Sequence, residues 1–371
     1  MDRANNFHWM QISDFHGGLS EAKPRWPQIR QQWFDDIRAH CAKNGPIDLV
    51  VFSGDLTNRG LAAEFEYVTS ELLRLWDHFG DLGFSPQLFV VPGNHDMVRP
   101  GDDSNFRFLV DSCREKKPIK NRLFNKESAD SKEVHAWFEN YSRFISEIKS
   151  KLPLACDVIG VLPGDCAAQI VVNGLSIGLM GLNTAWSQVE DGDYRGRIEL
   201  FMDQVLPLVD ELPDWSQRNN INLLVTHHPS DWFTEQACDE FENEIFLPNY
   251  FCAHLFGHMH KNLPEIRIVG GGDAKKTIQA SSLFGAEKLA GGSVERTHGY
   301  YFACIDAGQS ESKLWPRVIV NKDFGGWQIE RQGGILKGDS DHITSSWTVK
   351  RLEEGSKKRA DFRGRELSSG G

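Results

Sequence analysis

Asp14-Phe15-His16 sets a carboxylate and an imidazole two positions apart, directly after the apolar run Phe7 to Ile12. Side chains at i and i+2 of an extended segment point the same way, so these two can grip one ion together. Four more polar clusters follow short apolar runs: Gly54-Asp55, Gly93-Asn94-His95-Asp96, His227-His228 and Gly257-His258-Met259-His260. One Asp-x-His is commonplace, and a buried histidine is more often a satisfied core residue than a ligand. Five such clusters in order are not accounted for that way. Carboxylate, amide and imidazole donors without cysteine suit Mn, Fe, Ni or Zn. The donors exceed what one four-coordinate ion takes, and Asp55 could bridge two. Two ions about 3.5–4 Å apart clamp a phosphoryl group and generate hydroxide at neutral pH.

Such donors need rigid elements behind them. Phe7 to Ile12, Ile47 to Phe52 and Leu88 to Val91 read as strands, the third stopped by Pro92-Gly93. Between them, Trp26, Ile29, Trp33, Phe34 and Ile37, and then Phe65, Val68, Leu72, Leu75, Trp76 and Phe79, recur at helical spacing. Strand, helix, strand, helix, strand predicts βαβ units and a parallel sheet. Beyond the carboxyl ends of such strands is where α/β proteins place chemistry.

Residues 98–152 show no strand pattern and read as a helical insertion, a candidate cap over the site. One helix there is expected to bury Val134, Trp137, Phe138, Tyr141, Ile145 and Ile148. The basic run Arg114 to Lys126 precedes it. Such a run is ordinarily a solvated face. Its closeness to Asn94-His95 suggests a phosphate-guiding patch of Lys116, Lys117 and Lys120 as the alternative. Strands resume at Gln169 to Val172, with an Asn173-Gly174 hairpin turn leading into Leu175 to Leu182. A helix is expected from about Ile198 to Leu212, and strands at Ile221 to Thr226, Ala253 to Phe256, Thr277 to Ala280, Tyr300 to Ile305 and Trp315 to Val320. The organisation expected is one domain over 1–349, then a polar linker or disordered tail over 350–371.

With 40% hydrophobic and 25% charged residues, the 371-residue chain has ordinary globular composition. No apolar stretch approaches the roughly 20 residues of a membrane helix. The start, Met1-Asp2-Arg3-Ala4, lacks a signal-peptide pattern, and the seven cysteines form no CxxC pair. These features predict a cytoplasmic protein without membrane partners, disulfide framework or zinc knuckle. A net charge of −11 argues against broad non-specific duplex binding, yet leaves room for a nuclease with a local basic patch.

The ordered set Asp14-x-His16, Gly54-Asp55, Gly93-Asn94-His95-Asp96, His227 and Gly257-His258-x-His260 resembles the calcineurin-like metallophosphoesterases over about 1–320. The resemblance implies an α/β fold of two packed mixed β-sheets flanked by helices, a four-layer αββα sandwich. It also implies two divalent ions, with manganese favoured. Asp14, His16, Asp55 and His260 would hold one, and Asp55, Asn94, His227 and His258 the other. His95 would face the substrate, stabilise the transition-state oxygen and protonate the leaving group. His227 is taken as the ligand because it ends its strand, which puts His228 behind it, although the reverse remains open. Asp96 and Asn58 are further candidates for supporting positions. Asn58 is also a departure, since the protein phosphatase branch carries an aspartate there. That points to the phosphodiesterase-like branch, which includes cyclic-nucleotide phosphodiesterases and resembles repair nucleases in its metal site.

The function expected is hydrolysis of a nucleotide or nucleic-acid phosphodiester by metal-bound hydroxide. The alternatives are a phosphomonoesterase on a small phosphate or nucleotide, and an effector or binding module of a larger protein with weak or regulated catalysis.

Overall fold

The apolar runs form strands that are buried on both faces. The computed structural model describes residues 5–19, 26–101, 104–259, 263–267, 275–283, 298–322, 326–347 and 349–350. Its strands in chain order are β1 (Asn6–Ile12), β2 (Leu49–Ser53), β3 (Gln87–Val91), β4 (Val158–Ile159), β5 (Cys166–Val172), β6 (Leu175–Gly181) and β7 (Ile221–Val225). They continue as β8 (Ala253–Phe256), β9 (Leu263–Arg267), β10 (Lys275–Gln279), β11 (His298–Asp306), β12 (Glu311–Lys322), β13 (Gly326–Arg331) and β14 (Ile343–Ser346). One sheet runs β13-β12-β11-β1-β2-β3, with β14 also on β12, and the other runs β4-β5-β6-β7-β8-β10-β9. Both are mixed. β1, β2 and β3 are parallel to one another, as are β6, β7, β8 and β10, while β11 and β5 run antiparallel to their neighbours.

Alternation along β1 shows how one strand serves two cores. Phe7 and Trp9 join Val51, Phe89, Leu179, Leu223 and Leu255 in the layer between the sheets. Met10 and Ile12 face the opposite way, onto α1 (Trp26–Asn44) and α2 (Ala62–Asp81), through Ile29, Trp33, Phe65 and Leu72. A third apolar layer, with Met180, Leu182, Leu224 and Phe241, covers the outer face of the second sheet. Each fully buried side chain of this kind contributes about 1.5–3 kcal/mol. The architecture is the expected αββα sandwich.

Residues 98–152 are helical where described, as α3 (Phe106–Ser112), α4 (Lys117–Leu123), α5 (Ala129–Trp137) and α6 (Glu139–Lys149). The single helix expected through Val134 and Ile148 is two, divided at Phe138, and Phe144 rather than Ile145 is buried. The helix expected over Ile198 to Leu212 is replaced by two short ones, Met202–Val205 and Leu212–Gln217. Pro207 between them has no N–H and cannot continue a helix. The Asn173-Gly174 turn has φ of 49° and 83°, as a two-residue hairpin of this type requires. No helix among the described residues is long and apolar enough to cross a membrane. The tail from 351 lies outside the described residues.

Candidate metal centre

β1, β2 and β3 deliver Asp14/His16, Asp55 and Asn94/His95 from one sheet, and β7 and β8 deliver His227 and His258 from the other. Ser13 Oγ donates to the Ser53 carbonyl at 3.2 Å, and Gln11 Nε2 reaches across to the Phe256 carbonyl at 3.1 Å. The first bond ties neighbouring strand ends of one sheet, and the second joins the two sheets beneath the site. Asp14, His16, Asp55 and His258 all have left-handed backbone, with φ of 52°, 47°, 53° and 66°. Such conformations cost a non-glycine residue about 1–3 kcal/mol and gather where surrounding structure enforces them for a purpose.

Two glycines make the convergence sterically feasible. A Cβ on Gly93 would lie 2.1 Å from Asp55 Oδ1, and one on Gly257 would lie 1.9 Å from Ser13 Oγ. Only residues without a side chain let these loops approach so closely.

The donor atoms converge. His227 Nδ1 donates to the Ser53 carbonyl at 2.9 Å, which turns Nε2 toward the other donors. That Nε2 lies 3.3 Å from Asp55 Oδ2, 3.2 Å from Asn94 Oδ1 and 3.1 Å from His258 Nδ1. On the other side, His16 Nε2 is 3.9 Å from Asp55 Oδ2 and 4.0 Å from Asp14 Oδ1. Asp55 therefore stands between two groups of donors. Asp14, Asp55, Asn94 and His227 are buried, and His258 is half-buried. Burial would raise the Asp55 pKa, but the His227, His95 and His16 imidazoles outweigh it and hold the carboxyl well below the usual carboxylate range. Burial conversely works to lower the pKa of His227, and Asp55 overrides it, raising the imidazole to about 9. The pocket is built to hold positive charge.

The neighbours have other tasks. His228 is occupied at both nitrogens, by Thr184 Oγ1 at 2.9 Å and Gln188 Oε1 at 2.8 Å. Burial, then the charge on His227, pushes its pKa well below the ordinary value. Asp96 accepts the N–H groups of Leu56, Thr57 and Gly93 and the Thr57 hydroxyl at 2.8–3.1 Å, locking the second tip to the third. His95 is partly exposed, and its Nδ1 donates to the Asn58 carbonyl at 2.8 Å. Nε2 is then the nitrogen able to exchange a proton with a substrate. Asn58 thus supports the imidazole through its main chain, where an acceptor leaves no mark on residue type.

Lys116 and Lys117 are exposed, and Lys120 is bonded to Asp203 at 2.8 Å. His260 lies outside the described residues. Trp232 packs edge-on against the His258 ring at 4.1 Å between centroids, and Trp186 is core, against Phe124 and Phe201.

Residues 7–262 match the family model described as calcineurin-like phosphoesterase. No match was found among curated proteins. The chain is similar to several solved structures. With purple acid phosphatase PPD1 from yellow lupin it shares 11% identity over 93% of this chain and 54% of that one, with a TM-score of 0.48. For GAP50 of Plasmodium, the anchor in the inner membrane complex, the figures are 10%, 94%, 90% and 0.42. For Haemophilus influenzae NAD nucleotidase they are 12%, 97%, 60% and 0.39. Since the model match spans the strand ends from β1 to β8 that carry the donors, the chain belongs to the calcineurin-like phosphoesterase family and is a metal-dependent phosphoric ester hydrolase.

Proposed function

We propose that the chain is a phosphodiesterase with two divalent ions, manganese favoured, that hydrolyses a nucleotide or nucleic-acid diester. The observation that carries this reading is the position of Asp55 between His16 and His227, with His227 turned by the Ser53 carbonyl. Donors of this chemistry fit divalent ions. Asp14 and His16 would hold one ion with Asp55. Asn94, His227 and His258 would hold the other with the same carboxylate. His260 is assigned to the first set by family resemblance alone. When bound, the ions neutralise the phosphoryl oxygens and supply a nucleophile at neutral pH.

The chain's own groups do the rest. The Asn58 carbonyl orients His95, whose Nε2 gives a proton to the departing oxygen. His228 and Asp96 hold the tips in place. The 98–152 segment is closed on itself by the Val98 N–H on the Trp137 carbonyl at 2.8 Å, and Asn140 Nδ2 ties it to the Gly60 carbonyl at 2.8 Å, beside the second tip.

With Mn, the protein is expected to turn over bis-p-nitrophenyl phosphate with a kcat/KM about tenfold or more above that for p-nitrophenyl phosphate, a margin of ~1.4 kcal/mol. The opposite ranking would make it a monoesterase. Replacing Lys116, Lys117 and Lys120 together by glutamine is expected to lower kcat/KM on long single strands about fivefold more than on bis-p-nitrophenyl phosphate, because phosphate contacts accumulate along a chain. Equal losses on both would remove the guiding role.

A further inference from the structure

A cleft of about 450 Å³ is lined by Arg99, Ser104, Arg107, Val189, Glu190 and Asp191, with Pro100 and Gly101 at its wall. Both walls are fixed to the site. Arg99 lies four residues past His95, on the chain leaving the third tip. Val189 directly follows Gln188, the residue that holds His228 Nε2. The cleft is therefore where the part of a substrate next to the scissile phosphate would lie.

Its cations are positioned and held by acids that leave easily. Arg99 pairs with Asp191, and Arg107 Nη1 lies 2.7 Å from Glu190 Oε2. The Asp191 side chain is 93% exposed while that of Arg99 is 20% exposed. The arginine is thus held by the fold, whereas its partner stands in water. A surface pair of this kind is worth about 0–1 kcal/mol, so a phosphate that takes two guanidinium contacts can displace it. Arg107 also faces Asp111 at 3.7 Å, and Asp111 faces Arg197 at 3.6 Å. The Glu190 N–H bonds the buried Tyr194 hydroxyl at 3.0 Å, so the acidic loop is hinged on a fixed point and its side chains alone need to move.

Building on the phosphodiesterase reading, we infer that this cleft binds a second phosphate of the substrate, displaced from the one being cut, with Arg99 and Arg107 as its ligands and Glu190 and Asp191 as the counter-ions it replaces. The substrate class is then an ester carrying at least two phosphates, either a nucleic-acid strand or a nucleotide with a diphosphate.

Two measurements test this independently. Calorimetry with 5′-phosphorylated dithymidylate and with a nucleoside diphosphate follows binding without requiring turnover. Arg99→Gln and Arg107→Gln are each expected to weaken at least one of the two ligands by about tenfold. Whichever ligand responds identifies the source of the phosphate. Glu190→Gln with Asp191→Asn is expected to tighten the same ligand, an opposite sign that general damage to the fold would not produce. Unchanged affinity for both ligands in the arginine variants, or weaker binding in the acid variant, would overturn the inference. In the second measurement, the arginine variants should lower the ratio of kcat/KM for the dinucleotide to that for bis-p-nitrophenyl phosphate about tenfold, and equal loss on both substrates would also overturn it. Failure of the wild type to cut either ester would instead count against the phosphodiesterase reading, and the calorimetry would still decide the cleft.

Discussion

Asp55→Ala is expected to abolish hydrolysis, by about 10³-fold or more in kcat/KM, and to release metal from both positions. The size follows from where the carboxylate sits. Its Oδ2 lies within 4 Å of both His16 Nε2 and His227 Nε2, and its other oxygen accepts the His95 N–H at 2.8 Å. Losing it removes the negative charge between the two groups of donors and leaves three imidazoles crowded about a site that would no longer attract cations. Asp55→Asn separates charge from shape, since the amide can still accept the His95 N–H. It is expected to lose most metal too, because neutral oxygen is a poor bridge between two dications. Metal content by plasma emission, alongside turnover at saturating Mn, checks both variants. Two ions per chain in Asp55→Ala at wild-type affinity would end the shared-carboxylate assignment.

The five clusters that point to this centre were legible because each combines two local signals. A buried strand announces itself as an apolar run, and a glycine or an i, i+2 donor pair marks its end. His227 Nε2 lies 3.2 Å from Asn94 Oδ1 and 3.1 Å from His258 Nδ1, so three of these strand ends meet. What was not legible depends on contacts that residue type does not encode. The Asn58 carbonyl is one, and the Gln11 amide crossing between sheets is another. The same holds for breaks within helical patterns. Val134 to Ile148 has a continuous apolar period, but Phe138 divides it into two helices. β13 carries half-buried residues between exposed ends, with no alternation to read. Arg99 and Arg107 sit in stretches where only the folded loops bring them opposite Asp191 and Glu190.

His95→Ala is expected to lower kcat by about 10²–10⁴-fold while leaving metal content and KM nearly unchanged. The separation is physical. His95 is bonded to Asp55 through its main-chain N–H, which survives the substitution, whereas the imidazole stands edge-on to the His16 ring at 4.8 Å between centroids. With Nδ1 committed to the Asn58 carbonyl, the proposed task falls to Nε2. If that task is protonating the departing oxygen, the deficit should depend on the leaving group. p-Nitrophenolate departs without help, so the loss on bis-p-nitrophenyl phosphate should be smaller than on a dinucleotide, whose leaving alkoxide needs a proton. A deficit of equal size on both esters would mean that His95 only stabilises charge on the phosphoryl oxygens. Loss of metal together with activity would mean that it is a ligand, and the assignment of roles around Asp55 would have to be redrawn.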